Sequence, residues 1–240
     1  MGLEGKTALI TGGTKGIGYG IAEAMLASGM KVMITGRKNT GVKAAVAKLA
    51  KKHKDNIIGH VGNVKDLKSQ RAAVSALKKK WKNLDVLIAN AGIGHFANIE
   101  DLTSKQWQET IDVNLTGVFN SVKASIASLK RSKGYIITIA SLAGCNFFER
   151  GTAYNASKFG LVGFTQAMML DLRRYDIKCS TIMPGSVSTY FNDRKPSKKD
   201  AWKIQPEDIG QMVIDLLNMP ARTLPSKVEV RPFRPPSSYK

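Results

Sequence analysis

A doubly wound α/β domain, with a seven-stranded, mostly parallel sheet flanked by helices, is the fold this sequence predicts. Three observations predict it. Seven short β-rich runs alternate with six longer stretches of helical periodicity. Runs such as Ala8-Leu9-Ile10 and Val86-Leu87-Ile88-Ala89 are apolar without a break, as strands are when both faces are covered. A glycine-rich turn joins the first strand to the first helix.

Taken in order, the strands are expected at 6–11, 31–35, 57–61, 85–90, 134–140, 178–183 and 227–231. The helical patterns between them fall at 17–28, 41–52, 66–81, 104–130, 154–174 and 206–217. In the third, Leu67, Val74, Leu77 and Trp81 recur at helical spacing and mark the inward face. Neither an internal repeat nor an interdomain linker interrupts the alternation. Residues 1–231 are therefore read as a single dinucleotide-binding and catalytic domain. Residues 232–240, with Pro232, Pro235 and Pro236, are read as a proline-rich flexible tail.

Composition narrows the class. The chain has 240 residues, 43% hydrophobic and 23% charged, which excludes a disordered chain or a coiled coil. No stretch approaches the roughly 20 apolar residues that span a bilayer. The opening Met1-Gly2-Leu3-Glu4-Gly5-Lys6 lacks the layout of a secretory signal, and Lys6 stands where myristoylation needs Ser or Thr. Two cysteines, Cys145 and Cys179, make no disulfide framework, so a reducing cytoplasm is expected. His53, His60 and His95 share no ligand spacing with either cysteine, so no metal site is expected.

The net charge is +19, from 37 Lys plus Arg against 18 Asp plus Glu. Such a field attracts polyanions. Its two densest clusters are Lys43, Lys48, Lys51, Lys52, Lys54 and Lys65, Lys68, Arg71, Lys78, Lys79, Lys80, Lys82. The second lies opposite the apolar stripe of its helix. No aromatic residues interleave to stack bases, and no DNA-reading motif appears. Solvated helix faces are the reading, with no specific nucleic-acid or membrane partner.

Ligands on a doubly wound sheet bind beyond the carboxyl ends of the strands, so each motif is judged by that position. Thr11-Gly12-Gly13-Thr14-Lys15-Gly16-Ile17-Gly18 follows the first strand. Glycines there allow a tight turn and let backbone amides approach a pyrophosphate at the next helix N-terminus. After the second strand comes Thr35-Gly36-Arg37-Lys38, without the acid that binds both ribose hydroxyls of NAD. Arg37, helped by Lys15 and Lys38, suits the extra phosphate of NADP(H). Tyr154 and Lys158 share one face of a helical stretch, and Ser141 lies just past the fifth strand.

With Asn90-Ala91-Gly92, Asn114 and Pro184-Gly185, these elements have the order and spacing of the short-chain dehydrogenase/reductase family, which this chain resembles over about residues 3–218. The resemblance implies a Rossmann-like fold and NADPH-dependent reduction of a ketone or aldehyde to an alcohol. It implies that Tyr154 is the proton donor, its phenol depressed by Lys158, and that Ser141 holds the carbonyl oxygen. Lys158 also binds the nicotinamide ribose, and Asn114 anchors a water that relays protons to it. Gly12, Thr14, Lys15, Gly16, Ile17 and Gly18 cradle the phosphates. By the same resemblance, Asn63 and Val64 take the adenine, and Asn90, Ala91 and Gly92 line its ribose and stabilise the sheet. Pro184, Gly185, Val187 and Thr189 close over the nicotinamide. Two departures stand out: Ala89 replaces the first of two asparagines, and Asn63 replaces an Asp.

The segment 186–205 is expected to cover the substrate, which is a small carbonyl compound or a thioester on an acidic carrier protein. Lys130-Arg131 and Arg173-Arg174 fall near where related β-ketoacyl-carrier-protein reductases dock that carrier, but Val228-Glu229-Val230 running into Arg231-Pro232 departs from their ending. The ending looks more like the family's shorter carbonyl and pteridine reductases. A homodimer or homotetramer is expected, through the long helices at 104–130 and 154–174. The alternative from another class is a cofactor-sensing regulatory or polyanion-binding protein on the same fold.

Overall fold

The computed structural model describes residues 2–235. Its seven strands are β1 (Thr7–Ile10), β2 (Lys31–Gly36), β3 (Ile57–Val61), β4 (Val86–Ala89), β5 (Tyr135–Ile139), β6 (Lys178–Pro184) and β7 (Lys227–Val230). They form one sheet in the order β3-β2-β1-β4-β5-β6-β7. Every pairing is parallel, where a mostly parallel sheet was expected. Parallel neighbours need long crossovers, and helices supply them on both faces.

Those helices are α1 (Gly16–Ala27), α2 (Asn39–His53), α3 (Leu67–Trp81), α4 (Ser104–Ile111), α5 (Gly117–Ser132), α6 (Thr152–Leu172) and α7 (Pro206–Asn218). The sheet divides the core. Ile10, Ile34 and Ile88 point to one face with Ile21, Met25, Ile209 and Val213 of α1 and α7. Leu9, Met33 and Leu87 point to the other, with Leu77, Val122, Leu161 and Met168 of α3, α5 and α6. Successive side chains of a strand alternate faces, so unbroken apolar runs feed both layers. The edge strand β7 alternates exposed and half-buried residues instead, since only one neighbour covers it.

The expected helix at 104–130 is not one regular helix. A π-helical turn, Asp112–Thr116, lies between α4 and α5, and the Gly117 amide donates five residues back to the Asp112 carbonyl. Such turns insert one residue and redirect the side chains beyond them, which apolar periodicity does not reveal. The turn carries Asn114. The basic stretches behave as expected: Lys43, Lys48, Lys51, Lys52, Lys68, Arg71, Lys79 and Lys80 are all exposed.

Residues 231–235 are described and 236–240 are not, so the expected flexibility of the tail beyond Pro235 lies outside the described residues. Pro232 packs back near Gly185, and Phe233 is exposed. Among the described residues, no helix is long and apolar enough to cross a membrane.

Candidate active site

Gly12 and Gly16 have φ of +66° and +57°, the left-handed region that glycine enters without strain. A Cβ at Gly12 would stand 2.9 Å from Ala91 Cα, and one at Gly18 would stand 2.5 Å from Asn90 Nδ2. The cradle therefore admits nothing larger than glycine at either place. Lys15 caps α1 with extended backbone and no side-chain hydrogen bond, so the first amides of α1 are open to an anion.

The loop is braced from β4. Asn90 Nδ2 donates to the Thr11 and Gly12 carbonyls at 2.9 and 3.1 Å. Thr11 Oγ1 accepts from the Asn90 and Ala91 amides at 3.0 and 3.1 Å. The amide hydrogens of Asn90 thus hold the loop to the end of β4. Ala89, in the place of the family's first asparagine, is buried in the sheet.

Exposed Arg37 and Lys38 follow β2, and Lys15 is exposed at the mouth of the loop. The side chain of Thr14 lies against Gly36. The glycine loop and the end of β2 thus carry three exposed cations, of which Lys15 has its amine 5.7 Å from the centre of the Tyr190 ring. Asn63 sits at the end of β3, with its Oδ1 accepting from the Lys65 amide at 3.1 Å in a local turn. Val64 is buried against Gly117, its carbonyl accepting from Asn120 Nδ2 at 2.9 Å. Ile17 packs into the α1 side of the core.

The second cluster lies beyond β4, β5 and β6. Ser141 opens a single 3-10 turn after β5, and its Oγ accepts from the Ala143 amide at 3.1 Å while donating to the Pro184 carbonyl at 3.4 Å. Tyr154 and Lys158 lie in the first two turns of α6. Lys158 is buried, and its Nζ donates to the Ile139 carbonyl at 3.1 Å, 5.6 Å from the Tyr154 ring centroid.

The protein's own groups act on Tyr154 in the opposite direction to the depression the resemblance implies with Lys158 and the nicotinamide ring beside it. Burial pushes its phenol up to about 12, with the Ser141 side chain acting the other way. Burial also pulls the Lys158 amine down to about 8. Both shifts have one cause: a dry site disfavours whichever form carries charge. The protein's own groups therefore hold Tyr154 protonated near neutral pH.

Asn114, fully buried, has its side chain committed to the protein. Its Nδ2 donates to the Ile93 carbonyl at 2.9 Å and Ser157 Oγ at 3.0 Å, and its Oδ1 accepts from the Ile93 amide at 2.9 Å. Ser157 Oγ in turn donates to the Tyr154 carbonyl at 2.8 Å. A Cβ on Gly92 would stand 3.4 Å from Asn114 Oδ1 and 3.7 Å from Lys158 Nζ, so its absence leaves room between the two.

Gly185 donates to the Val230 carbonyl at 2.8 Å, directly after Pro184. Val187 forms an isolated parallel bridge with Ile204, which ties the two ends of segment 186–205 together. Thr189 packs on Gly16 and so reaches over the glycine loop.

Several residues at this site escaped the sequence reading. Ser157 and Asn155 are buried in α6, and Asn155 Nδ2 ties the helix to the Ala143 and Asn146 carbonyls at 2.7 and 2.8 Å. Polar residues at inward helical positions beside Tyr154 were the available signal. Phe96 and Phe191 lie 5.4 and 5.7 Å from the Tyr154 ring, and Phe148 lies 5.9 Å from Phe96. Phe147-Phe148 in a loop just past Ser141 was a signal of its own. His95, read as a surface histidine, meets Glu109 Oε2 at 3.2 Å. Cys145 is partly buried, its Sγ donating to the Leu142 carbonyl at 3.4 Å. Among the described residues, no cluster of His, Cys, Asp and Glu could hold a metal ion.

The comparisons with known proteins agree with this geometry. The family model described as short chain dehydrogenase matches residues 6–200. An uncharacterised oxidoreductase of Staphylococcus saprophyticus is 32% identical, over 96% of this chain and 98% of that one. An alcohol dehydrogenase from Thermococcus sibiricus, solved with 5-hydroxy-NADP, has a TM-score of 0.90 and 28% identity, over 97% of this chain and 99% of that one. A 3-ketoacyl-(acyl-carrier-protein) reductase from Brucella melitensis, solved with NADH, has a TM-score of 0.87 and 25% identity, over 97% and 99%. Matches of that extent make this chain a member of the short-chain dehydrogenase family, and an oxidoreductase.

Proposed function

We propose that this chain is an NADPH-dependent reductase of ketone or aldehyde carbonyls. The observation that carries the reading is the convergence of Ser141, Tyr154 and Lys158 beyond β5, with a glycine loop and the open first amides of α1 beyond β1 of the same sheet. When bound, the nicotinamide cofactor supplies the hydride. The cradle of Gly12, Gly16 and Gly18 with the open amides of α1 would hold its phosphates.

The choice of NADP(H) rests on charge. One solved relative carries an NADP analogue and another NADH, so the family alone does not select. Here Arg37, Lys15 and Lys38 stand where a 2′-phosphate would be met, and no carboxylate follows β2.

Tyr154, held protonated by burial, donates its hydroxyl proton to the carbonyl oxygen as that oxygen gains charge. Ser141 donates a hydrogen bond to the same oxygen and lowers the barrier by stabilising that charge. Lys158, still largely charged at pH 7, stabilises the phenolate left behind. A water in the gap beside Gly92, between Asn114 and Lys158, would return the proton.

A free small carbonyl suits this protomer better than a carrier-bound thioester. Lys130-Arg131 and Arg173-Arg174 end helices that lead into β5 and β6, so they lie at the opposite end of the sheet from Tyr154. Lys130 and Arg174 are stacked on the Tyr175 ring, at 3.5 and 4.9 Å. Association as a homodimer is part of the proposal. Phe159, Gly163, Ala167 and Leu170 form an exposed small and apolar face along α6, with Phe119 exposed on α5. Sedimentation at micromolar concentration is expected to give a dimer, and a monomer would remove that element.

The test of function is NADPH oxidation against a panel: a diketone, an aromatic aldehyde, a pteridine ketone, a keto sugar and a β-ketoacyl thioester. Turnover with any of them, absent in Tyr154→Phe, supports the reading. Absence of turnover across the panel despite tight NADPH binding by calorimetry would favour the regulatory alternative.

A further inference from the structure

We propose that the substrate is an uncharged aryl carbonyl, with its ring held by Phe96, Phe148 and Phe191 while its oxygen meets Tyr154 and Ser141. The inference rests on the carbonyl-reductase reading and deepens it. Three chain segments that are remote in sequence each send one phenylalanine to the same place. Phe96 comes from the loop after β4, Phe148 from the loop after Ser141, and Phe191 from the segment after β6. Phe96 stands edge-on to Tyr154 at 5.4 Å and to Phe191 at 6.3 Å, and Phe191 tilts over Tyr154 at 5.7 Å. Offset and edge-on rings at these separations are the geometry aromatic quadrupoles prefer.

Room for the cluster comes from Gly94. A Cβ there would stand 2.8 Å from ring atoms of both Phe96 and Phe191. Directly after Phe191 the chain turns through Asn192 and Asp193, both at positive φ, which Asn and Asp tolerate best after glycine. The cluster is also incomplete. Phe148, 5.9 Å from Phe96, remains 49% exposed and its chain neighbour Phe147 86%, so an apolar edge of the cluster stands open to water. A planar ring entering there covers that edge and stacks on at least one phenylalanine.

The three phenyl rings offer a carboxylate no hydrogen-bond partner. Arg194, Lys195, Lys198 and Lys199 on the covering segment are exposed to solvent. Lys203 is paired with Asp200, and His95 with Glu109. The cluster thus presents aromatic edges to an incoming ligand beside the hydroxyl of Tyr154.

The test compares kcat/KM for phenylpropanedione and cyclohexylpropanedione, which share the diketone and carbon skeleton but not the π-system. The wild-type preference for the phenyl compound is expected to fall about three- to tenfold in Phe96→Leu and in Phe191→Leu, mainly through KM. Leucine keeps the apolar bulk, and NADPH affinity by fluorescence titration verifies that each variant is folded. An unchanged ratio in both variants, with both diketones still oxidising NADPH, would overturn the inference and leave the reductase reading standing. If neither diketone nor any other carbonyl oxidises NADPH, both readings fall together.

Discussion

Gly12 and Gly18 meet Ala91 and Asn90 with no room for a methyl group, whereas Phe96, Phe148 and Phe191 meet at ring separations that many residue pairs could satisfy. The two sets lie on either side of Tyr154. The nucleotide side is made of main chain: left-handed glycines, open amides and carbonyls held by Asn90. The substrate side is made of side chains on loops, one of them carried on two left-handed residues. Backbone that must touch a ligand dictates residue type. Side-chain walls tolerate exchange, as surface loops generally do. The same division sets how each side should respond to substitution.

The largest effect is expected at the seam. Tyr154→Phe removes the proton donor without altering the ring that Phe96 and Phe191 contact, and turnover should fall about a thousandfold. NADPH affinity by calorimetry should change little. A parallel loss of binding would mean that the two sides are one unit, and the comparison would break.

Lys158→Met should abolish turnover while stabilising the fold. Holding the amine near 8 rather than its usual 10.5 costs the folded state about 3 kcal/mol at pH 7. The unfolded chain binds more protons than the folded one between those values, so wild-type stability rises with pH across that window. The advantage of Lys158→Met should therefore be greatest below pH 8 and fade toward 10.5. Above pH 10, Tyr154 acts in the opposite sense, because its raised pKa keeps a proton that the unfolded chain releases. Denaturant titrations at pH 7 and pH 10 check the lysine sign, and one of the wild type at about pH 11 checks the tyrosine sign.

Gly18→Ala tests the backbone side. Its Cβ would stand 2.5 Å from Asn90 Nδ2 and 2.6 Å from the Gly12 carbonyl, so the loop and its brace must part. A stability loss of about 1–3 kcal/mol is expected with loss of NADPH binding. The smallest effect is expected at the exposed Arg37, where Arg37→Asp should weaken NADPH about tenfold and improve NADH. Unchanged selectivity would move the phosphate site elsewhere.

Much of this was legible before any coordinates. The sheet followed from unbroken apolar runs at 8–10 and 86–89, since parallel strands buried on both faces permit little else. The glycine loop and the Tyr154–Lys158 pair were legible because a cradle and a shared helix face impose fixed spacing. The π-turn at 112–116 was not, because one inserted residue leaves hydrophobic periodicity almost intact. Nor was the raised phenol of Tyr154, which depends on how much water its neighbours exclude.

The sequence by itself determined the alternation of strand and helix, the parallel sheet, the position of the cradle and the identity of the polar residues at the strand ends. These are local: each depends on side-chain periodicity, or on a backbone conformation that glycine reaches most readily. The tertiary structure alone decided that Ser157 and Asn114 anchor the turn bearing Tyr154, that burial keeps its phenol protonated, and that three distant phenylalanines converge above it. Those properties depend on which groups meet after folding, and burial and contact carry no fixed spacing along the chain.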